Sequence, residues 1–287
     1  MASVSLIILA AGLGHRFGAV KQLATIGNTG KPLMYFSVMD AYQLGVRSLV
    51  VVINQQIEQA VSSQFLPLLP RDLKVSLVLQ RVDDLPDGSV ACSRQKPWGT
   101  GHALWSAREA VRADCIVINA DDYYGPDAMR QLILHFESRN DWAMVSYQLR
   151  NTLSEFGLVN RGLCEEKGGF LVAVKECLSI EYVYGQIRGE VDGEPVALEP
   201  EAPVSMNIWA FGPDIFACLE RGLIGFLAGE GDRSQAEFYL PAQVMTSIKA
   251  GENQVRVYPG RDKWQGITYQ EDLVQLGGLF QVNGCHD

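Results

Sequence analysis

The chain has 287 residues, of which 47% are hydrophobic and 20% are charged, and its formal net charge is −9 at pH 7. This composition is ordinary for a globular protein with a large core, and the negative charge argues against bulk nucleic-acid binding, which needs a basic surface. No apolar run approaches the roughly 18 residues that span a bilayer, so no membrane partner is expected. Six cysteines without a C-x-x-C pair or a zinc spacing indicate reduced thiols in a cytoplasmic protein.

The first half of the chain alternates short β-branched runs with amphipathic stretches. We predict strands over 4–9, 48–53, 73–79 and 115–119, and helices over 33–44, 55–65, 101–111 and 126–138. This alternation is the signature of a parallel sheet covered by helices on both faces.

After about residue 141 the pattern changes to strands with fewer helices between them. We predict strands over 142–149, 156–161, 169–174 and 204–211, helices over 214–221 and 235–249, and a loop or hairpin over 189–201. No repeat and no Pro/Ser-rich linker divides the chain. We therefore expect one continuous domain over 1–287, with mixed strands added to the parallel sheet of the first half.

A glycine-rich loop follows the first predicted strand, with the sequence Leu-Ala-Ala-Gly-Leu-Gly-His-Arg-Phe-Gly over residues 9–18. Glycines there let backbone N–H groups approach a phosphate. Arg16 adds a forked cation that suits phosphate oxygens, and Lys21 adds a point charge. The glycine spacing differs from that of a dinucleotide fingerprint, and Gly30-Lys31-Pro32 lacks the upstream glycine of a Walker loop.

Two further polar signatures end predicted strands. Gln80 closes the third strand, and its amide carries both a donor and an acceptor, which suits the edge of a base. Asp121 and Asp122 follow the fourth strand, where hard oxygen ligands suit Mg²⁺ bound to phosphates. Strand alternation points these two carboxylates in opposite directions. His102, in Trp-Gly-Thr-Gly-His-Ala-Leu, has no partner in the sequence pattern and is interpreted as a helix-start or packing residue.

Together these segments resemble the sugar-phosphate nucleotidyltransferases, the family of NDP-sugar pyrophosphorylases. The family's L-A-A-G-x-G-x-R loop is matched by residues 9–16, and its I-G-x-K-P segment by 26–33. The resemblance extends from residue 6 to about 269 and is strongest in the first 125. It implies an α/β, GT-A-like and Rossmann-like fold with a mostly parallel mixed sheet and helices on both faces. Residues 1–140 would then form the nucleotide-binding half and 141–287 the acceptor-binding half.

The resemblance implies transfer of a nucleotidyl group from a nucleoside triphosphate to a sugar 1-phosphate, with release of pyrophosphate. Arg16 would stabilise the leaving pyrophosphate, Lys21 would hold the region of the α-phosphate, and Asp121 would bind Mg²⁺. The expected partners are thus a nucleoside triphosphate and a phosphorylated small molecule; no oligomeric state is predicted. The residues implied to hold the nucleotide are Leu9, Ala11, Gly12, Gly14, Gln80, Gly99 and Thr100.

The resemblance is weaker on the acceptor side. The family's Glu-Lys pair holds sugar hydroxyls and the acceptor phosphate; Glu176 matches the first member, but Cys177 stands in place of the lysine. Lys175 is a candidate substitute. Gly157 and Asn207 lie in segments that resemble the family's sugar-pocket elements, so they join the predicted acceptor site.

The second metal ligand of the family departs further. The segment 262–269 resembles a W-x-D-x-G-T turn, but the family's aspartate would fall near Gln265 or Gly266. Asp262 is the nearest carboxylate, although its register differs. We therefore predict Asp262 as the second metal ligand on proximity alone.

A GT-A glycosyltransferase is disfavoured, because the Arg16 loop is not expected in that class of enzyme. Two other functions remain open. One is a cytidylyltransferase acting on an alcohol phosphate such as phosphocholine, with Trp209 or Trp264 caging the cation. The other is a catalytically silent relative that binds a nucleotide sugar and regulates a partner, which the missing second aspartate would favour.

We expect Arg16→Ala to lower turnover by about 100-fold or more, because one preorganised charge contact on a reacting phosphate typically contributes that much. The measurement is pyrophosphate release by the purified variant, with circular dichroism as the control for folding. Near-wild-type release would contradict the assignment of this loop.

Overall fold

The computed structural model of the chain describes residues 4–12, 21–86, 94, 96–229, 234–267 and 269–282. Gly14 and Arg16 of the predicted phosphate loop lie outside these ranges. The helices are α1 (Leu33–Gln43), α2 (Glu58–Ala60), α3 (Thr100–Ser106), α4 (Pro126–Ser138), α5 (Asp214–Ala228), α6 (Leu240–Lys249) and α7 (Asp272–Val282). The strands are β1 (Ser5–Leu9), β2 (Ser48–Ile53), β3 (Lys74–Leu79), β4 (Cys115–Asn119), β5 (Asp122–Tyr123), β6 (Trp142–Gln148), β7 (Val159–Lys167), β8 (Phe170–Val183), β9 (Gln186–Val191), β10 (Glu194–Leu198), β11 (Pro203–Phe211), β12 (Val255–Pro259) and β13 (Gln265–Gly266).

Within the described ranges, strands from both halves of the chain build one sheet in the order β10-β9-β8-β12-β6-β11-β4-β1-β2-β3, and β7 pairs with β11 and β8. β1 has parallel neighbours on both sides, β2 and β4, and β3 lies parallel beyond β2. The order 3-2-1-4 is that of a Rossmann-like sheet. β11 joins antiparallel to both β4 and β6, so the second half extends the sheet with mostly antiparallel pairs. The predicted mixed α/β, Rossmann-like fold is confirmed.

The β-branched runs of the first half form central strands because both faces of the sheet are buried. In β1, Leu6 and Ile8 belong to one core, together with α1 and α4, whereas Ile7 and Leu9 belong to the other, together with α3, α5 and α6. β1, β2 and β4 therefore carry apolar side chains on both of their faces and polar residues only at their ends, whereas β3, at the end of the sheet order, is less buried and contains Ser76.

The predicted bounds of β2, β4 and α4 coincide with the structure, and the hairpin expected over 189–201 is formed by β9 and β10. The stretch 55–65 is not one regular helix, because it divides into short 3₁₀, α and π turns. β7 begins at Val159 rather than at 156.

The sequence did not predict β12 or α7. β12 has only five residues. α7 contains two consecutive glycines, which lower helix propensity. One of them, Gly277, has a packing reason: a Cβ there would lie 2.9 Å from the Cα of Gly27.

The four described cysteines, Cys115, Cys164, Cys177 and Cys218, are free thiols. In the part of the chain that the structure describes, none of the helices combines the length and the hydropathy of a membrane-crossing segment.

A buried carboxyl group connects α1 to β5, which forms a separate two-stranded sheet with β13. Asp40 on α1 is 3% exposed and accepts a hydrogen bond from the Tyr123 hydroxyl in β5. Burial raises the pKa of Asp40 from its ordinary 3.8 to about 6; the Tyr123 hydrogen bond opposes this rise and the nearby charge of Asp262 adds to it. The protonated form therefore fits this position better than the ionised form.

We expect Asp40→Asn to change how stability depends on pH. Because the folded pKa of Asp40 is raised, its contribution is fully present below the unfolded pKa and is lost as pH rises from about 4 through about 6. The free energy of unfolding of the variant, relative to wild type, should rise by on the order of 3 kcal/mol over this window. Urea denaturation at pH 4 to 8 measures this difference. As a control, Glu109→Gln alters a side chain that is 75% exposed and should give a small, constant offset. A constant offset for Asp40→Asn would contradict the expectation.

Candidate active site

A cavity of about 450 Å³ opens at the carboxyl ends of β1, β3 and β4. It lies where the order of the parallel strands reverses, since β1 is followed by β2 on one side and β4 lies on the other. Open α/β sheets place their ligands at such a crevice. The lining residues are Leu9, Ala11, Gly12, Lys21, Gln22, Gln80, Lys96, Pro97, Gly99, Thr100, Ala103, Asn119, Asp121 and Glu237. The lining includes Lys21 and Asp121, which are the described residues predicted for catalysis. It also includes every described residue predicted for nucleotide binding.

The first residues after β1 are held in place by side chains from two neighbouring segments. Asn54, just after β2, donates its amide N–H to the carbonyl of Ala11 at 3.1 Å. Gln22 donates from Nε2 to the carbonyl of Gly12 at 2.7 Å. These two bonds hold Ala11 and Gly12 at the cavity that they line.

Lys21 and Asp121 meet across the cavity although they are 100 residues apart. The Lys21 Nζ lies 2.6 Å from Asp121 Oδ2, and their side chains are 18% and 34% exposed. Both groups therefore remain accessible to a ligand. A cation and a carboxylate at this distance can position a phosphate and a metal ion side by side.

Asp122 points away from its neighbour, as strand alternation predicts. It is 8% exposed, and its Oδ2 accepts hydrogen bonds from Asn119 Nδ2 at 2.8 Å and from the Tyr124 hydroxyl at 3.1 Å. Burial raises the pKa of Asp122 to about 7, and the charge of Asp121 adds to the rise. One carboxylate thus faces the cavity and the other lies in the protein interior.

Asn207 takes part in the hydrogen-bond chain that fixes Asn119. The register of β11 shifts between Ser205 and Trp209, and Asn207 adopts φ 61° within this bulge. Its Nδ2 donates to Asn119 Oδ1 at 2.7 Å, and its Oδ1 accepts from the indole N–H of Trp209 at 2.8 Å. Bulges commonly redirect a side chain in this way. One N–H and one lone pair of the amide remain for a ligand.

The opposite wall is built by Gln80 and the turn that begins α3. Gly99 adopts φ 104°, and a Cβ there would lie 2.9 Å from the Phe238 carbonyl, so this position requires glycine. Thr100 accepts a hydrogen bond from the backbone N–H of Leu240 through its hydroxyl at 3.0 Å. The turn is therefore packed directly against the segment that leads into α6.

His102 is fully buried, and both of its ring nitrogens have partners. Nδ1 lies 3.1 Å from Gln80 Nε2, and Nε2 lies 2.8 Å from the Asp84 carbonyl. A general base needs contact with the reacting groups, which this position does not provide. The structure thus gives His102 a packing and hydrogen-bonding role, in agreement with the interpretation of the sequence.

Sequence reasoning missed several residues of the cavity. Asn119 precedes the predicted carboxylates, and a polar residue at the end of a buried strand was the available signal. Lys96 and Glu237 form an ion pair of 2.6 Å at the cavity wall. They are 141 positions apart, and no pattern in the sequence links them.

The predicted acceptor residues do not line this cavity. Lys175 and Glu176 are adjacent on β8 and point to opposite faces, since they pair with Leu163 and Gly162 of β7. Lys175 Nζ lies 3.8 Å from Glu165, and both side chains are more than 60% exposed. Glu176 instead lies near Arg161: partial burial raises the pKa of Glu176, and the guanidinium opposes this rise. Lys175 is therefore unsuited to act with Glu176 on one ligand.

Gly157 lies in a different place from the other predicted acceptor residues. It lines a separate cavity of about 680 Å³ together with Arg150, Glu181 and Lys263. A Cβ at Gly157 would lie 2.4 Å from the Tyr269 hydroxyl. This position accordingly has a packing role against Tyr269.

Asp262 does not occupy the place of a second metal ligand. Its Oδ2 accepts the backbone N–H of Asp127 at 2.7 Å, so it caps the first turn of α4. The residues beside the Asp121 backbone are those of the 265–267 segment: Gly266 pairs with Asp122, and the Ile267 N–H donates to the Asp121 carbonyl at 2.9 Å. Gln265 and Gly266, which stand where the resemblance implied a carboxylate, thus lie beside the Asp121 backbone and supply no acidic side chain.

The side chains around Asp121 suit an Mg²⁺ ion that is bound together with a phosphorylated ligand. No cluster of three or more His, Cys, Asp or Glu side chains suited to a metal occurs in the described residues. Mg²⁺ is usually bound by one or two carboxylates, with phosphate oxygens and water completing its octahedron. Asp121, as an accessible carboxylate in a cavity that also contains Lys21, meets that requirement once a phosphorylated ligand is bound.

Comparison with known proteins agrees with this geometry. Residues 6–199 match the family described as the MobA-like NTP transferase domain. None of the curated protein sequences matches the chain. Three solved structures resemble it: the inositol-1-phosphate CTP transferase from T. maritima (13% identity, TM-score 0.64, 100% of this chain and 99% of that one), a UDP-glucose pyrophosphorylase complexed with UDP-glucose (16%, 0.61, 99% and 100%), and HddC from Yersinia pseudotuberculosis complexed with GMP-PN (14%, 0.61, 98% and 100%). At these identities the likeness establishes the fold alone.

We expect Asp121→Asn to lower Mg²⁺-dependent turnover by about 100-fold or more, since it removes the charge that faces the cavity. Asp122→Asn should retain a good part of the activity, because its amide oxygen can still accept the hydrogen bonds of Asn119 and Tyr124. The measurement is pyrophosphate release across a Mg²⁺ titration, with thermal unfolding of both variants as the control. Equal losses in the two variants would show that the carboxylates do not differ in role.

Proposed function

Since this chain belongs to the family of MobA-like NTP transferase domains, we propose that it transfers a nucleotidyl group from a nucleoside triphosphate to a sugar 1-phosphate and releases pyrophosphate. The observation that carries the proposal is the convergence of Lys21, Asp121, the loop after β1 and Gln80 on one cavity. Charge neutralisation at one end of that cavity and a hydrogen-bonding wall at the other suit a nucleotide.

In this reaction an oxygen of the acceptor phosphate attacks the α-phosphorus, and the bond from the α-phosphorus to the bridging oxygen of pyrophosphate breaks. Such a step needs positioning and neutralisation of charge rather than a protein nucleophile. Lys21 at the cavity mouth would hold the α-phosphate, and Arg16 in the preceding loop would bind the departing pyrophosphate. Magnesium bound by Asp121 would supply further neutralisation of the phosphate oxygens.

Glu176 is the residue we propose for binding the acceptor's hydroxyls. Its carboxylate lies within the electrostatic reach of Arg161, which pairs in register with Cys177 on the neighbouring strand. A cation is thus present beside the position where the family has its lysine. The exposed Lys175, which pairs with Glu165, is not part of this arrangement.

The packing of two tryptophans disfavours the choline phosphate alternative. A cage for a quaternary ammonium group needs exposed aromatic faces. Trp209 is fully buried, and its indole N–H is bound to Asn207. Trp264 is 7% exposed, and the guanidinium of Arg161 lies 5.1 Å from the centre of its ring. Neither residue offers a free face for choline.

The test is a pyrophosphate-release assay with Mg²⁺, in which UTP, dTTP, GTP, CTP and ATP are each combined with glucose 1-phosphate, inositol 1-phosphate or phosphocholine. We expect release with the sugar 1-phosphate. Glu176→Gln should then raise the KM for that acceptor by about 10-fold, because a charge-assisted hydrogen bond to a hydroxyl is lost, while the KM for the triphosphate stays unchanged.

Lys175→Ala provides the matched control, since it alters the adjacent residue on the opposite face of β8. It should leave both KM values near those of wild type. Release with phosphocholine alone would overturn the sugar assignment, and binding of a nucleotide without release for any acceptor would favour the silent regulatory relative.

A further inference from the structure

A run of hydrogen bonds leads from the protein surface to the base-side wall of the cavity. It begins at Arg108, whose guanidinium binds both carboxylate oxygens of Asp84, at 2.8 and 3.0 Å, and lies 3.5 Å from the centre of the Trp105 ring. Bidentate pairs of this kind fix geometry as well as charge. The backbone of Asp84 is thus held at a defined place beside α3.

That anchor determines the tautomer of His102. The Asp84 carbonyl can only accept, and it lies 2.8 Å from His102 Nε2, so Nε2 must carry the proton. Burial lowers the pKa of His102, so the ring is neutral near pH 7. In a neutral imidazole with a proton on Nε2, Nδ1 is an acceptor.

The tautomer in turn fixes the amide of Gln80. Its Nε2 lies 3.1 Å from His102 Nδ1 and 3.0 Å from the Gly99 carbonyl. Both partners are acceptors, so the nitrogen and not the oxygen must face them, and both amide hydrogens are used. Among the described residues none donates to Oε1, and Gln80 lines the cavity. Gln80 can therefore offer a ligand an acceptor, but no donor.

An acceptor at this position discriminates between two kinds of base. Uracil, thymine and guanine carry a ring N–H between their exocyclic groups. Cytosine and adenine carry a ring nitrogen with a lone pair at the corresponding place. An amide oxygen that faces this ring position accepts from the N–H of the first kind and repels the lone pair of the second. It could accept from the exocyclic amine of cytosine or adenine only if the base were displaced so that the amine, and not the ring nitrogen, faced it. Gln80 cannot rotate to compensate without breaking two hydrogen bonds.

We propose that His102 is a positioning residue that locks Gln80 with its oxygen towards the cavity, and that the site thereby selects a nucleoside triphosphate whose base has a ring N–H. This inference rests on the proposed function, because it assumes that the nucleotide occupies the 450 Å³ cavity with the ring nitrogen of its base facing Gln80. It adds a choice of substrate class that neither the family nor the cavity shape implies.

The first experiment measures the Kd of the wild-type chain for UTP, dTTP, GTP, CTP and ATP with Mg²⁺ by calorimetry, without any acceptor. At least one of UTP, dTTP and GTP should bind 10- to 100-fold more tightly than both CTP and ATP, since an unmatched buried polar group costs on the order of 1–3 kcal/mol. A preference for CTP or ATP would overturn the inference while leaving the proposed function intact. Absence of binding by every triphosphate would instead defeat the proposed function.

Two substitutions at His102 separate positioning from packing. The side-chain oxygen of asparagine reaches about as far as Nδ1, so His102→Asn keeps an acceptor for Gln80 but loses the contact to Asp84. His102→Gln reaches about as far as Nε2, so it keeps the contact to Asp84 but loses the acceptor facing Gln80. We expect His102→Asn to preserve the ratio of the Kd values for CTP and the preferred triphosphate, and His102→Gln to reduce it about threefold or more.

Gln80→Met tests the last link, because it keeps the volume of the side chain and removes the acceptor. The preferred triphosphate should lose about 10-fold or more in affinity, and the ratio should approach one. Circular dichroism of each variant verifies folding. An unchanged ratio in Gln80→Met, or a lower ratio in His102→Asn than in His102→Gln, would overturn the role of this hydrogen-bond chain.

Discussion

The reversal of strand order at β1 is the constraint on which the candidate site depends. β2 and β4 lie parallel to β1 on opposite sides, and their connecting segments leave the sheet in opposite directions. A crevice therefore opens above the carboxyl end of β1 without any specialised element. The register pairs Leu9 with Asn119, so the loop that begins at Ala10 and the carboxylate of Asp121 emerge next to each other. Lys21, the next described residue after the loop, can then reach Asp121 at 2.6 Å.

Two adjacent carboxylates in one crevice would repel each other strongly if both faced it, and the strand geometry reduces this repulsion. Asp121 faces the cavity with Lys21, whereas Asp122 faces inward and is held by Asn119 and Tyr124. The inward site is buried, which raises the pKa of Asp122 and thereby favours its neutral form. Asn119 depends on Asn207, and Asn207 depends on the bulge in β11. The orientation of the first half's carboxylates is thus set by a strand of the second half.

The sequence predicted the parts of the site that depend on local pattern. Gln80 and Asp121 follow buried strands that hydrophobic periodicity located within a residue or two, whereas Gly99 and Thr100 were implied by the resemblance to the family's glycine turn. Lys96 and Glu237 could not be found in this way, because their ion pair joins positions 141 apart. The same limit explains β12: its position between β6 and β8 is set by tertiary pairing, and five residues carry little periodicity of their own. Asp262 was predicted from proximity in the sequence, whereas its hydrogen bond to the first turn of α4 depends on a contact 135 residues away.

On the acceptor side, the lysine of the family motif is absent, but a positive charge is present close to its position. Cys177 replaces the lysine that the family resemblance implied, and its side chain is fully buried. Its partner in the register is Arg161.

The guanidinium of Arg161 is held by the carbonyls of Asn160 and Thr152 and by the face of Trp264. Its charge lowers the pKa of both Asp122 and Glu176, opposing the effect of their burial. One positive charge therefore acts on both the inward carboxylate of the nucleotide side and the proposed hydroxyl-binding carboxylate, although it comes from β7 and not from β8. Because a cross-strand neighbour lies as close in space as a residue next in sequence, the electrostatic character of a sheet face can persist when the motif residue on one strand is lost.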